Sequence, residues 1–239
     1  MKNIILGILV IVTIICIGCS NSDTKNTFLE NKKACAEGSA EGCFSLGNKY
    51  NEGKEVKKDK NKAREYYVKA CNGGHAKACF SAGFWYESSS WHNSSRKKKY
   101  LLKSIDFYKK ACDKGDSGGC LSLGIKYSFG SSLIKKDDIK AVEFYSKSCE
   151  LKAGSGGCVA LGQNYEIGKG VSKDYFKALT FYKRSCDNGH ELGCAELGYM
   201  YYEGKGTRQD TTKAKEYFGK SCDGGNNKGC EGYALINKK

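Results

Sequence analysis

Small and aromatic residues return along this chain at helical spacing. Five times the sequence runs small residue, two variable positions, two aromatics, one variable position, a basic residue, a small residue and then cysteine. The runs are Ala63, Tyr66, Tyr67, Lys69, Ala70, Cys71; Ser104, Phe107, Tyr108, Lys110, Ala111, Cys112; and Ala141, Phe144, Tyr145, Lys147, Ser148, Cys149. They continue as Ala178, Phe181, Tyr182, Arg184, Ser185, Cys186 and as Ala214, Tyr217, Phe218, Lys220, Ser221, Cys222. The first, fourth, fifth and eighth positions fall on one face of an α-helix, which predicts a first helix that buries small and aromatic side chains. At that spacing the aromatic pair reads as core rather than as ligand contacts.

A second pattern follows each run, C-x2-[LA]-G-x2-Y, seen as Leu46-Gly47-Tyr50, Ala82-Gly83-Tyr86, Leu123-Gly124-Tyr127, Leu161-Gly162-Tyr165 and Leu197-Gly198-Tyr201. Offsets of 3, 4 and 7 from the cysteine again define one helical face, so a second helix is predicted. Glycine inside a helix costs about 1 kcal/mol relative to alanine. Its return at one register implies close approach of a neighbouring helix. Gly38, Gly74, Gly115, Gly189 and Gly225 stand three residues after a first cysteine, where a helix ends in a left-handed residue. Gly53, Gly130, Gly168 and Gly204 open the loop to the next unit. Each unit is therefore helix, tight turn, helix, loop.

The cysteines keep the same period. Past residue 19 they form six pairs, Cys35/Cys43, Cys71/Cys79, Cys112/Cys120, Cys149/Cys158, Cys186/Cys194 and Cys222/Cys230, whose first members recur at intervals of 36, 41, 37, 37 and 36 residues. Such a period marks a repeat array. Each pair spans the turn between two antiparallel helices, within the Cα separation of about 7 Å that a disulfide can bridge. Six disulfides are expected, each within one repeat and each contributing roughly 2–3 kcal/mol by loop entropy. Zinc ligation is the competing use. It is disfavoured because C-x7-C is not a knuckle spacing and no histidine is paired with it. His75, His92 and His190 are read as turn or loop residues, and neither a metal nor a cofactor is expected.

The N-terminus predicts export. Met1-Lys2-Asn3 precedes an apolar run from Ile4 to Ile17, too short to span a bilayer comfortably and of signal-peptide length. It ends in Cys16-Ile17-Gly18-Cys19, which resembles a bacterial lipobox with Cys16 where leucine is usual. Residues 1–18 are read as a lipoprotein signal peptide, Cys19 as the lipidated N-terminus, 19–26 as lipidated cysteine and tether, and 27–239 as the repeat array. Ser20 after the cysteine favours the outer membrane, facing the periplasm or the surface; secretion is the alternative.

Composition sharpens this reading. Hydrophobic residues at 40% and aromatics at 12% exclude a disordered chain. Fourteen cysteines among 239 residues fit an oxidising compartment. Zero proline against 30 glycines leaves glycine as the backbone punctuation. A formal net charge of +14 suits anionic lipids, lipopolysaccharide or acidic partners, although a solvated lysine-rich surface explains it as well. Nucleic acid is not an expected partner, since charge alone favours it and no recognition motif is present.

With both helix patterns and the cysteine period together, residues 24 to 239 resemble Sel1-like repeats, relatives of tetratricopeptide repeats, and specifically the Helicobacter cysteine-rich protein family, whose repeats carry one disulfide each. The resemblance implies an all-α fold, an α/α solenoid of disulfide-stapled helix-turn-helix repeats. Departures are local. Repeat two has a long loop from Glu87 to Lys99 with Trp91, His92 and Arg96-Lys97-Lys98-Lys99; the extra residue between Cys149 and Cys158 moves the turn glycine to Gly154; the first helix, Thr27 to Cys35, lacks the aromatic pair; and Tyr233-Ala234 replaces Leu-Gly after Cys230. The two ends read as caps.

For function, the resemblance implies penicillin or peptidoglycan-like ligands and weak β-lactamase activity. The residues assign no catalytic group. Ser-x-x-Lys occurs at Ser94–Lys97, Ser95–Lys98 and Ser132–Lys135, all in lysine-rich loops, while the Ser-Asp-Asn, Lys-Thr-Gly and His-x-His companions are absent. The alternative is a non-catalytic scaffold whose concave face takes peptides, peptidoglycan fragments or protein partners at the envelope or a host surface.

Overall fold

The computed structural model describes residues 22–92, 97–131, 133–151 and 154–238, with side chains described from Thr27 onward and those of residues 89–92 left out. The leader, Cys16 and Cys19 lie outside the described residues. Twelve α-helices and no strands are found among those residues: α1 Ser22–Ala36, α2 Ala40–Glu52, α3 Lys60–Asn72, α4 Ala76–His92, α5 Lys97–Asp113, α6 Ser117–Phe129, α7 Asp138–Glu150, α8 Ser155–Ile167, α9 Tyr175–Asp187, α10 Glu191–Glu203, α11 Thr211–Asp223 and α12 Asn227–Asn237. They alternate as first and second helices of six hairpins. None is long and apolar enough to cross a membrane.

Five of the six hairpin turns are set by the same local chemistry. The glycine three residues after the first cysteine has positive φ, 98° at Gly74 and 78° at Gly189, a conformation that closes a helix at no Cβ cost. Six disulfides sit across these turns with Cα atoms 4.5–4.6 Å apart: Cys35–Cys43, Cys71–Cys79, Cys112–Cys120, Cys149–Cys158, Cys186–Cys194 and Cys222–Cys230. Cys43 is buried in the first turn of α2, and its Sγ lies 3.6 Å from the Cys35 carbonyl. A disulfide sulfur carries no proton, so that approach is packing rather than a hydrogen bond.

Four of the first helices, α3, α7, α9 and α11, start on aspartate. The Asp59, Asp137, Asp174 and Asp210 carboxylates each accept from the backbone N–H of the lysine three residues on, at 2.9–3.0 Å. The backbone N–H of the aspartates Asp59, Asp137, Asp174 and Asp210 donates to the carbonyls of Tyr50, Tyr127, Tyr165 and Tyr201, which fastens both ends of the connecting loop.

The described chain divides into two compact units, one ending at Ala82 and the other beginning at Gly83. In the first, a methyl group on Gly47 would stand 2.6 Å from the ring of Tyr67, so α2 and α3 pack ring against bare backbone. Leu46, Ala63, Tyr67 and Ala70 are buried there.

The second unit repeats that joint four times. A methyl group would meet the Tyr108 ring at 2.8 Å from Gly83, the Tyr145 ring at 2.5 Å from Gly124, the Tyr182 ring at 2.6 Å from Gly162 and the Phe218 ring at 2.6 Å from Gly198. The close neighbour demanded by the helical glycine is therefore the second aromatic of the following first helix. A methyl group on Gly232 of α12 would likewise stand 2.5 Å from the Phe218 ring. Buried serines add polar ties across the same joints: Ser148 Oγ donates to the Ser117 carbonyl at 2.9 Å, Ser185 to Ser155 at 2.8 Å and Ser221 to Glu191 at 2.7 Å.

Three local expectations change. The long loop of repeat two is mostly helix, because α4 runs through His92 and α5 begins at Lys97, each 17 residues long against the usual 13. No proline or glycine lies between Glu87 and Lys99 to stop either helix. The first helix starts at Ser22 rather than Thr27, so part of the segment read as tether is helical. Gly154 is not a left-handed turn residue. It caps α8 with φ −88°, buried against the Ser148 carbonyl, after α7 has ended on extended Leu151.

Candidate functional site

The paired aromatics divide their work. The second of each pair is the buried ring just described. The first stacks on the tyrosine of the C-x2-[LA]-G-x2-Y pattern in the preceding second helix. In the second unit the pairs Tyr86–Phe107, Tyr127–Phe144, Tyr165–Phe181 and Tyr201–Tyr217 lie with centroids 5.5–5.6 Å apart and planes within 15° of parallel. Lys103, Lys140, Lys177 and Lys213 stand 5.0–5.6 Å over those tyrosines, an arrangement that favours a cation over the ring face. This lysine precedes the small residue of each run, a recurrence that the sequence carries and that the aromatic pattern alone does not single out. Three of these lysines also pair with the aspartate that caps their helix, so the stack is largely self-neutralised.

Buried tyrosine hydroxyls find acceptors on the preceding second helix. Tyr108 Oη donates to Glu87 Oε2 at 2.7 Å, and Lys126 Nζ reaches Glu87 Oε1 at 2.6 Å while standing 5.6 Å over the Tyr108 ring. Tyr182 Oη donates to Glu166 Oε2 at 2.9 Å, and Lys205 bridges Glu166 and Glu203. At the joint between them Lys169 Nζ donates to Ser128 Oγ at 2.7 Å and pairs with Asp138. Burial, reinforced by the glutamates, pushes the Tyr108 and Tyr182 hydroxyls far above the ordinary tyrosine range. They remain protonated donors at any physiological pH and are structural ties rather than bases.

Beside these ties the second helices form an adjoining row, with α6 touching α8 and α8 touching α10. On these helices, five or nine residues past Cys79, Cys120 and Cys158, large apolar side chains face solvent: Phe84 at 58% exposure, Ile125 at 44%, Phe129 at 79% and Ile167 at 66%. Single exposed apolar residues are ordinary, but these four recur at two registers of successive second helices and make a row. It deepens at one place. Between α4, α5 and α6 lies a cavity of about 550 Å³ with Leu101, Ile125 and Phe129 as its apolar wall and Lys97, Lys126 and Glu87 at its edge. A second row, Leu102, Ile139 and Phe176, is exposed on the first helices. The cavity next to Ile139 is lined mostly by charged residues of the 135–140 segment.

The other sequence candidates are dispersed. Ser94, Ser95 and Ser132 lie outside the described residues, so the Ser-x-x-Lys pairs have no described geometry. His75 and His190 lie in hairpin turns, as expected, at the N-cap positions of the helices that follow: His75 Nδ1 accepts from the Ala78 N–H at 3.1 Å, its Nε2 meets Glu41 at 3.0 Å, and its ring stacks on Phe44, while His190 holds the same place at α10 without a cap bond. The His92 side chain lies outside the described residues. Among the described residues no group of three or more His, Cys, Asp or Glu side chains converges. The cysteines from Cys35 to Cys230 form disulfides and have no thiolate to offer zinc.

Stacked helix pairs with this joint define a helical-repeat protein. The Sel1 repeat family model matches residues 40–75, 76–116, 118–152, 155–190 and 192–226, more than half of the chain, and the chain belongs to that family. Each matched repeat is a second helix plus the following first helix. The repeat is thus the glycine–aromatic pair, and this corrects the expectation that each disulfide closes a single repeat. Cys71–Cys79, Cys112–Cys120, Cys149–Cys158 and Cys186–Cys194 join consecutive repeats. The same correction holds at the ends. Cys43 falls inside the first matched repeat, whereas its partner Cys35 lies ahead of that repeat on α1, so Cys35–Cys43 fastens α1 to the array. Cys222 lies inside the last matched repeat and Cys230 beyond it on α12. The physical reason is that the cysteines flank the hairpin turn, while the glycine–aromatic packing lies across the longer loop.

Among solved structures the chain is similar to a Sel1 repeat protein from Oxalobacter formigenes, with TM-score 0.75 and 24% identity over 89% of this chain and 90% of that one. It is also similar to c5321, a protective antigen of uropathogenic Escherichia coli displaying an SLR fold, with TM-score 0.55, 25% identity, and 87% and 51% coverage of the two chains. The Helicobacter pylori cysteine rich protein B matches at 38% identity over 57% of this chain and 95% of that one, with TM-score 0.46. Comparison with curated proteins finds no significant match. The disulfides place the protein in an oxidising, extracytoplasmic compartment.

Proposed function

We propose that the protein is a non-catalytic, disulfide-braced scaffold that binds a protein partner through the second-helix row of its second unit. Sel1 repeat proteins generally bind protein partners. One observation carries the reading here: the exposed row of Phe84, Ile125, Phe129 and Ile167 on helices fixed by glycine–aromatic joints and disulfides. A surface held rigid before binding loses less conformational entropy on association. The leader and Cys19 supply the address in this reading, a lipid anchor at the outer membrane from which the array is displayed in the periplasm or at the surface.

Selection of a random peptide library on the oxidised chain tests the scaffold. Enrichment of peptides that bind saturably and are displaced by one another is expected. Failure to enrich any peptide, together with saturable turnover of a chromogenic cephalosporin, would replace the scaffold with the β-lactam hydrolase implied by the Helicobacter resemblance.

A further inference from the structure

Resting on the scaffold reading, we infer that the cavity between α4, α5 and α6 is the anchor site for an acidic partner segment, one that inserts a large apolar side chain and places carboxylates against the first turn of α5. The site adjoins this chain's own departure from the repeat. Lys97 comes from the stretch, residues 97–100, by which α5 exceeds the usual 13-residue helix, and it stands beside Leu101 and Glu87, which hold ordinary positions of their helices. Leu101, Ile125 and Phe129 wall a volume of about 550 Å³, large enough for an aromatic or branched side chain, and Phe129 is left 79% exposed.

Charge selects the occupant. Lys97, Lys98 and Lys99 fill the first turn of α5, all exposed, with no acidic residue in that turn. A helix N-terminus carries partial positive charge and favours anions, so three lysines there oppose the helix field and gain from a neighbouring carboxylate. Equivalent first turns elsewhere are headed by a capping aspartate that accepts from the backbone and lies beside the lysine of the turn, as at Asp137–Lys140 and Asp174–Lys177. Lys126 at the other edge is held by Glu87 at 2.6 Å and is thereby fixed in place beside the apolar wall. Apolar wall and cationic edge together match alternating acidic and apolar residues in an extended peptide, and disfavour a basic one.

A fluorescein-labelled peptide alternating Glu with Leu and Phe is titrated against the oxidised chain by anisotropy. Companion peptides carry Lys in place of Glu, or Ser in place of Leu and Phe, and phosphatidylglycerol vesicles serve as an anionic lipid arm. Saturable binding of the acidic–apolar peptide alone is expected, weakened by salt and about tenfold or more by either Phe129→Ser or Lys97→Glu. Both substitutions are at exposed positions, and unchanged circular dichroism melting shows that they fold. Equal binding of the basic peptide, vesicle binding without peptide binding, or indifference to both substitutions would overturn the site. The two readings separate cleanly: library-selected peptides that still bind both variants leave the scaffold standing and remove this site, whereas an empty selection removes the scaffold itself.

Discussion

Gly162 lies flat against Tyr182. A methyl group on the glycine would stand 2.6 Å from the ring carbon Cε1, closer than any relaxed carbon–carbon contact, and the ring is fully buried with its hydroxyl tied to Glu166. The contact joins α8 to α9 and is the unit from which the array is built.

Gly162→Ala is therefore expected to destabilise by about 1–3 kcal/mol from overpacking, partly offset by about 1 kcal/mol of helix propensity. Gly156→Ala in the same helix meets only the tip of Leu121, at 3.0 Å, and should be neutral or stabilising. Urea denaturation of the two variants checks this. A lower midpoint for both, or for neither, would mean that the ring is free to move away.

The disulfides make a separable contribution. The double substitution Cys186→Ser with Cys194→Ser removes a link between consecutive repeats and should cost about 2–3 kcal/mol while leaving the helical circular dichroism spectrum in place. Thermal melting measures the loss, and non-reducing peptide mapping should recover Cys186 joined to Cys194 in the parent chain.

Alkaline pH probes the buried tyrosines. Burial pushes the Tyr67 hydroxyl up to about 12, and Tyr108 and Tyr182 higher still, whereas an unfolded tyrosine ionises near about 10. The folded state keeps protons that the unfolded state releases. Stability is thus intact below about pH 10 and falls as pH rises from there through the folded values. Ultraviolet titration of tyrosinate should show these hydroxyls ionising together with unfolding rather than before it, and Tyr182→Phe should move the onset of alkaline unfolding upward.

Much of this is legible in the chain. A face made of Ala178, Phe181, Tyr182 and Ser185, together with Leu161-Gly162-Tyr165 spacing in the neighbouring helix, is enough to place two helices and a turn, because local periodicity and glycine chemistry set them. What local pattern does not specify is the partner across a joint. Gly162 announces a close neighbour but not that it is Tyr182, twenty residues on. For the same reason the cysteine period suggests a repeat framed on pairs such as Cys35 and Cys43, although the packed unit straddles them. The long segment in repeat two reads as loop because it falls between the two helix patterns, while its lack of proline and glycine allows α4 and α5 to lengthen. The exposed row of Phe84, Ile125 and Phe129 is hidden for a different cause: an apolar residue off the core face carries no periodic signal until neighbouring helices bring several together.

Hydrogen–deuterium exchange of the oxidised full chain, with and without a saturating library-selected peptide, tests the central claim that the second-helix row is the working surface. Slowed exchange is predicted in the segments carrying Phe84–Glu87, Lys97–Leu101, Ile125–Ser131 and Ile167–Lys169. Slowed exchange confined to Ile139–Val142 and Tyr175–Ala178, beside the exposed row of the first helices, would contradict it.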